Sequence, residues 1–413
     1  MKTLVFAPET YNLAETSRMI EIARACQDRF QIVFMAYGGM FEDLIRSEGF
    51  GLREMSPRLT SEKIDHFYKV YKAEKIDPLF TVDELMERVN NEITLFNEVN
   101  PAALVTGYCL STSISTRAVG IPLVSTIQST WTPAYYEANL GTWPDMVDCP
   151  LIRWLPNHTL DRTLDRVYSK VSLPVGSFFL GANFNKVARK YGVRRLKSIE
   201  LWEGDYALLA EPPEFSGLTN LPPHYRYIGP LIARLEREIP PEVLNIPRDQ
   251  PIVYFAMGSS GNPEIIASII EGFRSKPYRV IAPVRPLVEK MPIRVPPNVI
   301  VTDWLPAHKV NPMADISVTH GGIGTVLTAC LAGTPIVGVG MQPEQEANLE
   351  CLVRKGFAIR IRKKRVTPQR ILEAIDRLLA DREAHRRARA FQKIVSQWDG
   401  PSNAARFFAE TFG

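Results

Sequence analysis

Short, unbroken apolar runs alternate with amphipathic stretches twice along this chain, and that pattern leaves few folds open. In the first block Thr3–Ala7, Gln31–Ala36, Ala103–Thr106 and Leu123–Ile127 read as strands, and the strand pattern resumes at Tyr206–Ala210 and Tyr225–Ile228. Leu13–Arg29, Asp83–Asn97 and Ser111–Val119 read as the intervening helices; in the second of these, apolar residues recur at Leu85, Met86, Val89, Ile93 and Phe96, the spacing of a helix face. The second block has strands at Ile252–Met257, Arg279–Pro283, Val299–Val301, Ile316–Thr319 and Ile336–Val339. Its helices fall at Pro263–Arg274, Gly322–Ala332, Gln345–Lys355, Pro368–Leu379 and Glu383–Trp398. Strands that are apolar throughout are buried on both faces, as in a parallel sheet covered by helices. The expected fold class is therefore α/β: two doubly wound, Rossmann-like units, with ligands held beyond the carboxyl ends of the strands and in the cleft between the units.

The expected boundaries follow from composition. The first unit is 1–233. A charged, proline-rich linker, 234–250, contains Pro240, Pro241 and Pro247. The second unit is 251–398, and 399–413 carries one more helix, Ser402–Phe412, after Gly400 and Pro401. From Gln128 to about Glu200 the periodicity loosens, and aromatic residues gather there: Trp131, Tyr135, Tyr136, Trp143, Trp154, Phe178 and Phe179.

Composition excludes several classes. The 49 Lys and Arg residues exceed the 45 Asp and Glu residues by four, too small an excess for a protein that wraps nucleic acid. Cys26, Cys109, Cys149, Cys330 and Cys351 lie far apart with no CxxC pair, and the histidines show no ligand spacing. Reduced thiols and no metal are expected. The N-terminal apolar run ends at Pro8 and Glu9, short for a signal peptide, and no run approaches the ~20 residues that span a bilayer. A cytoplasmic protein is expected. Arg360–Arg365 holds five basic residues in six; it reads as a solvated face or as a peripheral contact with anionic lipid. Oligomeric state is not legible.

Three features of the second unit point to a phosphate-bearing, hydroxyl-rich ligand. Gly258, Ser259 and Ser260 end a strand, where small residues let backbone N–H groups approach a phosphate. Thr319-His320-Gly321-Gly322-Ile323-Gly324-Thr325 joins a strand to a helix; Gly322 and Gly324 open the helix N-terminus, and His320 and Thr325 add side-chain donors. Glu344 and Gln345, in Pro343-Glu344-Gln345-Glu346-Ala347-Asn348, offer a carboxylate and an amide at the end of another strand, groups suited to sugar hydroxyls. Trp304 follows a strand in Asp303-Trp304-Leu305-Pro306, where an indole stacks on a nucleobase or fills core.

In order and spacing, the run from Trp304 through His320–Thr325 and Gly333-Thr334-Pro335 to Asn348 resembles the UDP-glycosyltransferase family. The resemblance implies the GT-B fold, two facing Rossmann-like domains with a last helix returning to the N-terminal domain. It implies a nucleotide-sugar co-substrate, UDP-sugar first and dTDP-sugar second, and no other cofactor. Trp304 would stack on the base, His320, Gly324 and Thr325 would hold the diphosphate, and Glu344 and Gln345 would meet the donor sugar. Transfer to a hydroxyl with inversion would follow.

The chain departs from the family at its catalytic dyad, a histidine after the first strand oriented by an aspartate after a later one. The first loop, Pro8-Glu9-Thr10-Tyr11-Asn12-Leu13-Ala14-Glu15, has no histidine, and Gly107 stands at the aspartate position. Glu9 and Glu15 are the candidate bases, Glu9 the more plausibly aimed at the cleft and Glu15 matching the missing histidine. An acceptor acidic enough to need little base, or a protein that binds nucleotide sugar without transferring it, also fits, as does an epimerase of similar fold. The acceptor is expected to be a small molecule or lipid against the first domain, with Asn12, Gln128 and Trp131 on its wall.

Overall fold

The structure is a computed structural model of the 413-residue chain. It describes all residues except 72, 73, 76, 143–180, 235, 258–262, 290 and 292, and the backbone alone of 198 and 199. Trp143, Cys149, Trp154, His158, Phe178 and Phe179 lie outside the described residues, as do Gly258, Ser259 and Ser260.

Two α/β domains are present, each on an all-parallel sheet. The first sheet has seven strands in the order β3-β2-β1-β4-β5-β6-β7. These are β1 Thr3–Phe6, β2 Gln31–Ala36, β3 Leu52–Glu54, β4 Ala103–Thr106, β5 Leu123–Ile127, β6 Tyr206–Leu209 and β7 Tyr225–Tyr227. The second has six, in the order β10-β9-β8-β11-β12-β13. They are β8 Ile252–Ala256, β9 Arg279–Ala282, β10 Val299–Val301, β11 Ile316–Thr319, β12 Ile336–Gly338 and β13 Ala358–Arg360. Every residue of β1, β4, β5 and β8 is buried, as a sheet covered on both faces requires.

The edge strands β3 and β13 and the helices Glu42–Ser47 and Ser61–Tyr71 are not foreshadowed by periodicity. Both edge strands have three residues and a charged end, too short to carry an alternating signal. The proline-rich stretch between the sheets contains a helical turn, Pro241–Leu244, whose Val243 is fully buried. Arg360 is not solvated: its guanidinium pairs with Glu346 at 3.2 Å and Glu350 at 3.5 Å. A side chain at the end of a strand beside a helix is drawn into the ion pair that satisfies it.

The domains share one apolar cluster. Ile127, Tyr135 and Leu209 of the first pack with Leu349, Cys351 and Leu352 of the second. The segment after β5 lies on the helix Pro343–Arg354: the Tyr135 hydroxyl is 3.7 Å from Cys351 Sγ, and Arg354 donates to the Leu140 carbonyl at 3.0 Å. The last helix, Gly400–Phe412, crosses back to the first domain. Ala404 and Phe408 enter a cluster with Met19, Ile20 and Ala23 of the helix Leu13–Cys26, and Asn403 donates to the Ile228 carbonyl at 2.8 Å.

Phe408 is 0% exposed, so Phe408→Ala opens a cavity between the last helix and the first domain. The expected cost is about 3–5 kcal/mol, read as a lower urea midpoint for the first domain; an unchanged midpoint would mean that this helix is not part of the domain's folded unit.

Candidate active site

In a doubly wound sheet the crevice lies where the chain reverses its direction of travel across the strands. In the first sheet that point lies between β1 and β4; in the second it lies between β8 and β11. The loops after β1, β4 and β11 carry Glu9, Gly107 and His320 respectively.

The loop after β11 is built by its glycines. Gly321 has φ +92°, and a Cβ there would lie 2.6 Å from the Gln345 carbonyl oxygen; a Cβ on Gly322 would lie 2.8 Å from His320 Nε2. Only glycine lets this loop press against the next helix while the imidazole folds over the helix start. Gly322 is the N-cap of the helix Ile323–Ala332 and makes no side-chain capping bond, so the first-turn N–H groups remain donors at the positive end of the helix dipole. At Gly324 a Cβ would meet nothing within 4 Å, so this first turn faces open space, with Thr325 half-buried on the same turn. Burial pushes the His320 imidazole down to about 4, the nearby Ala256 carbonyl opposing. At neutral pH the ring is an uncharged hydrogen-bonding group.

Glu344 stands in the first turn of Pro343–Arg354, with Oε1 accepting from Asn348 Nδ2 at 2.9 Å. Burial raises its carboxyl, against Gln128, Arg18 and Asn348. Gln345 is 7% exposed, and its Oε1 accepts from the Met341 N–H at 3.0 Å; its carbonyl holds the turn and leaves only the amide NH₂ for a ligand. Trp304 is 36% exposed, an indole with a free face after β10.

On the facing side the two candidate carboxylates differ. Glu9 does not turn to the cleft. Its Oε1 accepts from Arg88 Nη2 at 2.7 Å, with both side chains buried. The Arg88 guanidinium lies 3.5 Å from the Tyr37 ring centroid and 4.7 Å from that of Phe80. A cation enclosed by rings needs a counter-charge, and Glu9 supplies it. Glu15 occupies the first turn of Leu13–Cys26, 2% exposed, with Oε1 unpartnered. A Cβ on Gly107 would stand 3.2 Å from that oxygen, so the glycine leaves the room that the Glu15 carboxylate fills. Burial pushes Glu15 up to about 8, the Glu9 charge adding and Arg18 opposing. Asn12 is the N-cap of this helix: its Oδ1 accepts from the N–H groups of Ala14 at 3.0 Å and Glu15 at 3.3 Å. That oxygen is occupied by the cap.

Gln128 is buried after β5, its side chain close enough to Glu344 to lower that carboxyl although Nε2 completes no well-aligned hydrogen bond, and Trp131 is half-buried three residues on. Thr130 donates to Asn348 Oδ1 at 3.1 Å, and Asn348 Nδ2 donates to the Gly321 carbonyl at 3.1 Å. The Gln128–Trp131 turn therefore meets the histidine loop and Glu344 through one amide. Sequence reasoning missed Arg18, Asn348 and Glu211. Glu211 is fully buried, accepts from the Ser129 N–H at 2.6 Å, has Oε2 unpartnered and is raised to about 7 by burial. Its signal was available: like Glu9, it is a carboxylate just past the end of a strand. Among the described residues no group of three or more His, Cys, Asp or Glu side chains could hold a metal ion, and no helix is long and apolar enough to cross a membrane.

Residues 280–400 match the erythromycin biosynthesis protein CIII-like C-terminal domain. The PGL/p-HBAD biosynthesis glycosyltransferase of Mycobacterium tuberculosis is 28% identical over 302 residues, 71% of this chain and 67% of that protein. In fold, the chain matches the glycotransferase of kitacinnamycin with a TM-score of 0.73 at 18% identity, covering 100% of both chains. It matches the spinosyn rhamnosyltransferase SpnG complexed with thymidine diphosphate with a TM-score of 0.68 at 12% identity, covering 98% and 100%. The two parallel-sheet domains thus form a GT-B fold. These likenesses support a family 1 glycosyltransferase-like protein, an enzyme of the nucleotide-sugar glycosyltransferase class.

Two outcomes follow from the site. Glu9→Gln removes the carboxylate bonded to Arg88 and leaves it only the charge of Glu92, and is expected to cost about 3–5 kcal/mol of stability, measured by chemical denaturation. Because His320 titrates near 4, it stays neutral through the weakly acidic range. The diphosphate of a nucleotide sugar, doubly esterified, does not titrate there either. His320→Gln should therefore leave the shape of the affinity profile between about pH 5.5 and 8 unchanged, any slope there coming from the raised carboxyls of Glu211 and Glu344; a slope that disappears in the variant would show instead an imidazolium.

Proposed function

We propose that this chain moves a sugar from a pyrimidine nucleotide sugar, UDP-sugar first and dTDP-sugar second, to a hydroxyl of a small-molecule or lipid acceptor with inversion. The observation that carries the reading is the helix start at Gly322–Thr325: uncapped, facing open space, with an uncharged imidazole folded over it. Such a start offers aligned N–H donors to a diphosphate, in the ground state and more strongly as the leaving group gains charge. Trp304 would stack on the base. Glu344, and Gln345 through its NH₂, would meet the sugar hydroxyls, with Gly258–Ser260 beyond β8 as further phosphate contacts. The thymidine diphosphate complex of a protein of similar fold supports keeping a thymidine donor in view.

In this reading Glu15 is the base that takes the acceptor proton, and Glu9 holds the loop that presents it. The support is environmental. Each keeps one buried oxygen without a partner, but the other Glu9 oxygen is fixed on Arg88, whereas Glu15 Oε1 stands in the room left by Gly107. A base on one domain and a diphosphate on the other suit a single displacement, hence inversion. The basic run beyond Arg360 would reach anionic lipid if the acceptor is a lipid.

Calorimetric titration with UDP, dTDP and GDP tests the donor half. UDP or dTDP should bind in preference to GDP, and Trp304→Ala should weaken that binding by about 1–3 kcal/mol. Unchanged affinity in the variant removes the stacking role; a folded protein that binds none of the three removes the donor assignment.

A further inference from the structure

A nucleoside diphosphate that leaves a sugar takes the bonding electron pair with it, so its outer phosphate gains a full negative charge. The second-domain groups assigned to the diphosphate are neutral: the uncapped helix start at Gly322–Thr325 and the uncharged His320 ring. Two cations stand on neighbouring loops, and both have partners of their own. Arg285, beyond β9, donates to the Val301 carbonyl at 3.1 Å and lies 3.8 Å from Asp303. Lys309 pairs with Glu236 at 2.6 Å.

A cation without such a partner stands on the first domain. Arg18 lies one turn after Glu15 in the helix Leu13–Cys26. Its Nε donates to the Ala14 carbonyl at 3.0 Å, so the side chain runs back towards the helix N-terminus, which lies beyond β1 at the crevice. Among the described residues its two Nη groups complete no hydrogen bond or ion pair, although the residue is half-buried. Three carboxyl groups act on it through space: Glu15, Glu344 of the second domain, and Glu211 beyond β6. They come from both sides of the cleft and balance a half-buried charge without contacting it. Burial raises the proton affinity of all three, so near neutral pH they carry less negative charge than their number implies and leave the guanidinium open to a stronger anion. Glu344 ties the group to the donor side. It accepts from Asn348 at 2.9 Å, and the same amide donates to the Gly321 carbonyl of the histidine loop at 3.1 Å.

We propose that Arg18 is a second anion-binding group of the donor site: its Nη groups take the outer phosphate of the nucleotide sugar from the first-domain side, opposite the helix start, and meet the charge that develops there. The inference rests on the transferase reading above and gives that reaction a leaving-group residue on the domain that does not carry the nucleotide. In the reaction the acceptor oxygen bonds to the anomeric carbon and its proton passes to Glu15. The bond from that carbon to the phosphate oxygen breaks, and the electron pair stays on the phosphate, where Arg18 meets it. A guanidinium suits this work because its donors are coplanar and can bind two phosphate oxygens at once. One domain holds the phosphate and the other carries Arg18, so the contact also draws the cleft shut around a bound diphosphate.

The test is calorimetry on the full chain near neutral pH with UMP and UDP, or with dTMP and dTDP where thymidine is the preferred base. The pair isolates the outer phosphate. The unaltered chain should bind the diphosphate more tightly than the monophosphate. Arg18→Met keeps most of the stem and removes the charge; it should weaken the diphosphate by about 10–100-fold. Monophosphate affinity should stay unchanged, which also reports that the variant is folded. Arg18→Lys, which keeps the charge without the fork, should recover part of the loss. Unchanged diphosphate affinity in Arg18→Met, or an equal loss for both nucleotides, overturns the assignment and leaves the donor reading standing. An unaltered chain that binds neither pair removes the transferase reading, and the role of Arg18 with it.

Discussion

The Asn348 side chain is the smallest unit on which the site depends. It is fully buried, and its amide makes three bonds: it accepts from Thr130 of the first domain and donates to the Gly321 carbonyl and to Glu344. One residue therefore sets the docking of the domains, the path of the histidine loop and the direction of a donor-side carboxylate. An amide buried without partners costs about 1–3 kcal/mol, so the three contacts stand or fall together. The apolar packing of Ile127 and Tyr135 against Leu349 and Cys351 supplies the bulk of the interface but no direction; the hydrogen bonds supply that.

On the other side of the cleft, environment assigns different work to two carboxylates six residues apart. Glu9 is bound to Arg88, which lies between Tyr37 and Phe80, and Glu92 beneath it accepts from Tyr37, Ser111 and Ser115. This buried polar network holds the loops after β1 and β4 in one arrangement. Glu15 is just as buried; like Glu9 Oε2, its Oε1 has no hydrogen-bond partner, and it lies beside Gly107 rather than beside a bonded guanidinium. Two carboxyl groups with opposed surroundings are the usual material of acid–base chemistry at neutral pH.

The strands were legible almost to the residue. Gln31–Ala36, Ala103–Thr106, Leu123–Ile127 and Ile316–Thr319 stand where their apolar runs do, because strands of a sheet covered on both faces are built mainly of apolar and small residues. The donor loop was legible for a similar reason: its glycines are dictated by backbone approach and a positive φ, which are local demands. Arg18, Glu211 and Asn348 were not recognised. Each is an ordinary polar residue in a helix or past a strand, and its place in the cleft depends on partners such as Ser129, more than eighty residues away from Glu211, and Thr130, more than two hundred from Asn348.

The sequence by itself determined the α/β class, the two parallel sheets and the glycine-built helix start, since all of these arise from short-range rules of burial and backbone geometry. Tertiary structure alone decided that Glu9 is occupied by Arg88 and that Glu15 lies beside the space at Gly107. The reason is physical. Which carboxylate meets a guanidinium and which lies beside a glycine depends on charges and volumes that distant segments bring together on folding, and no local pattern encodes them.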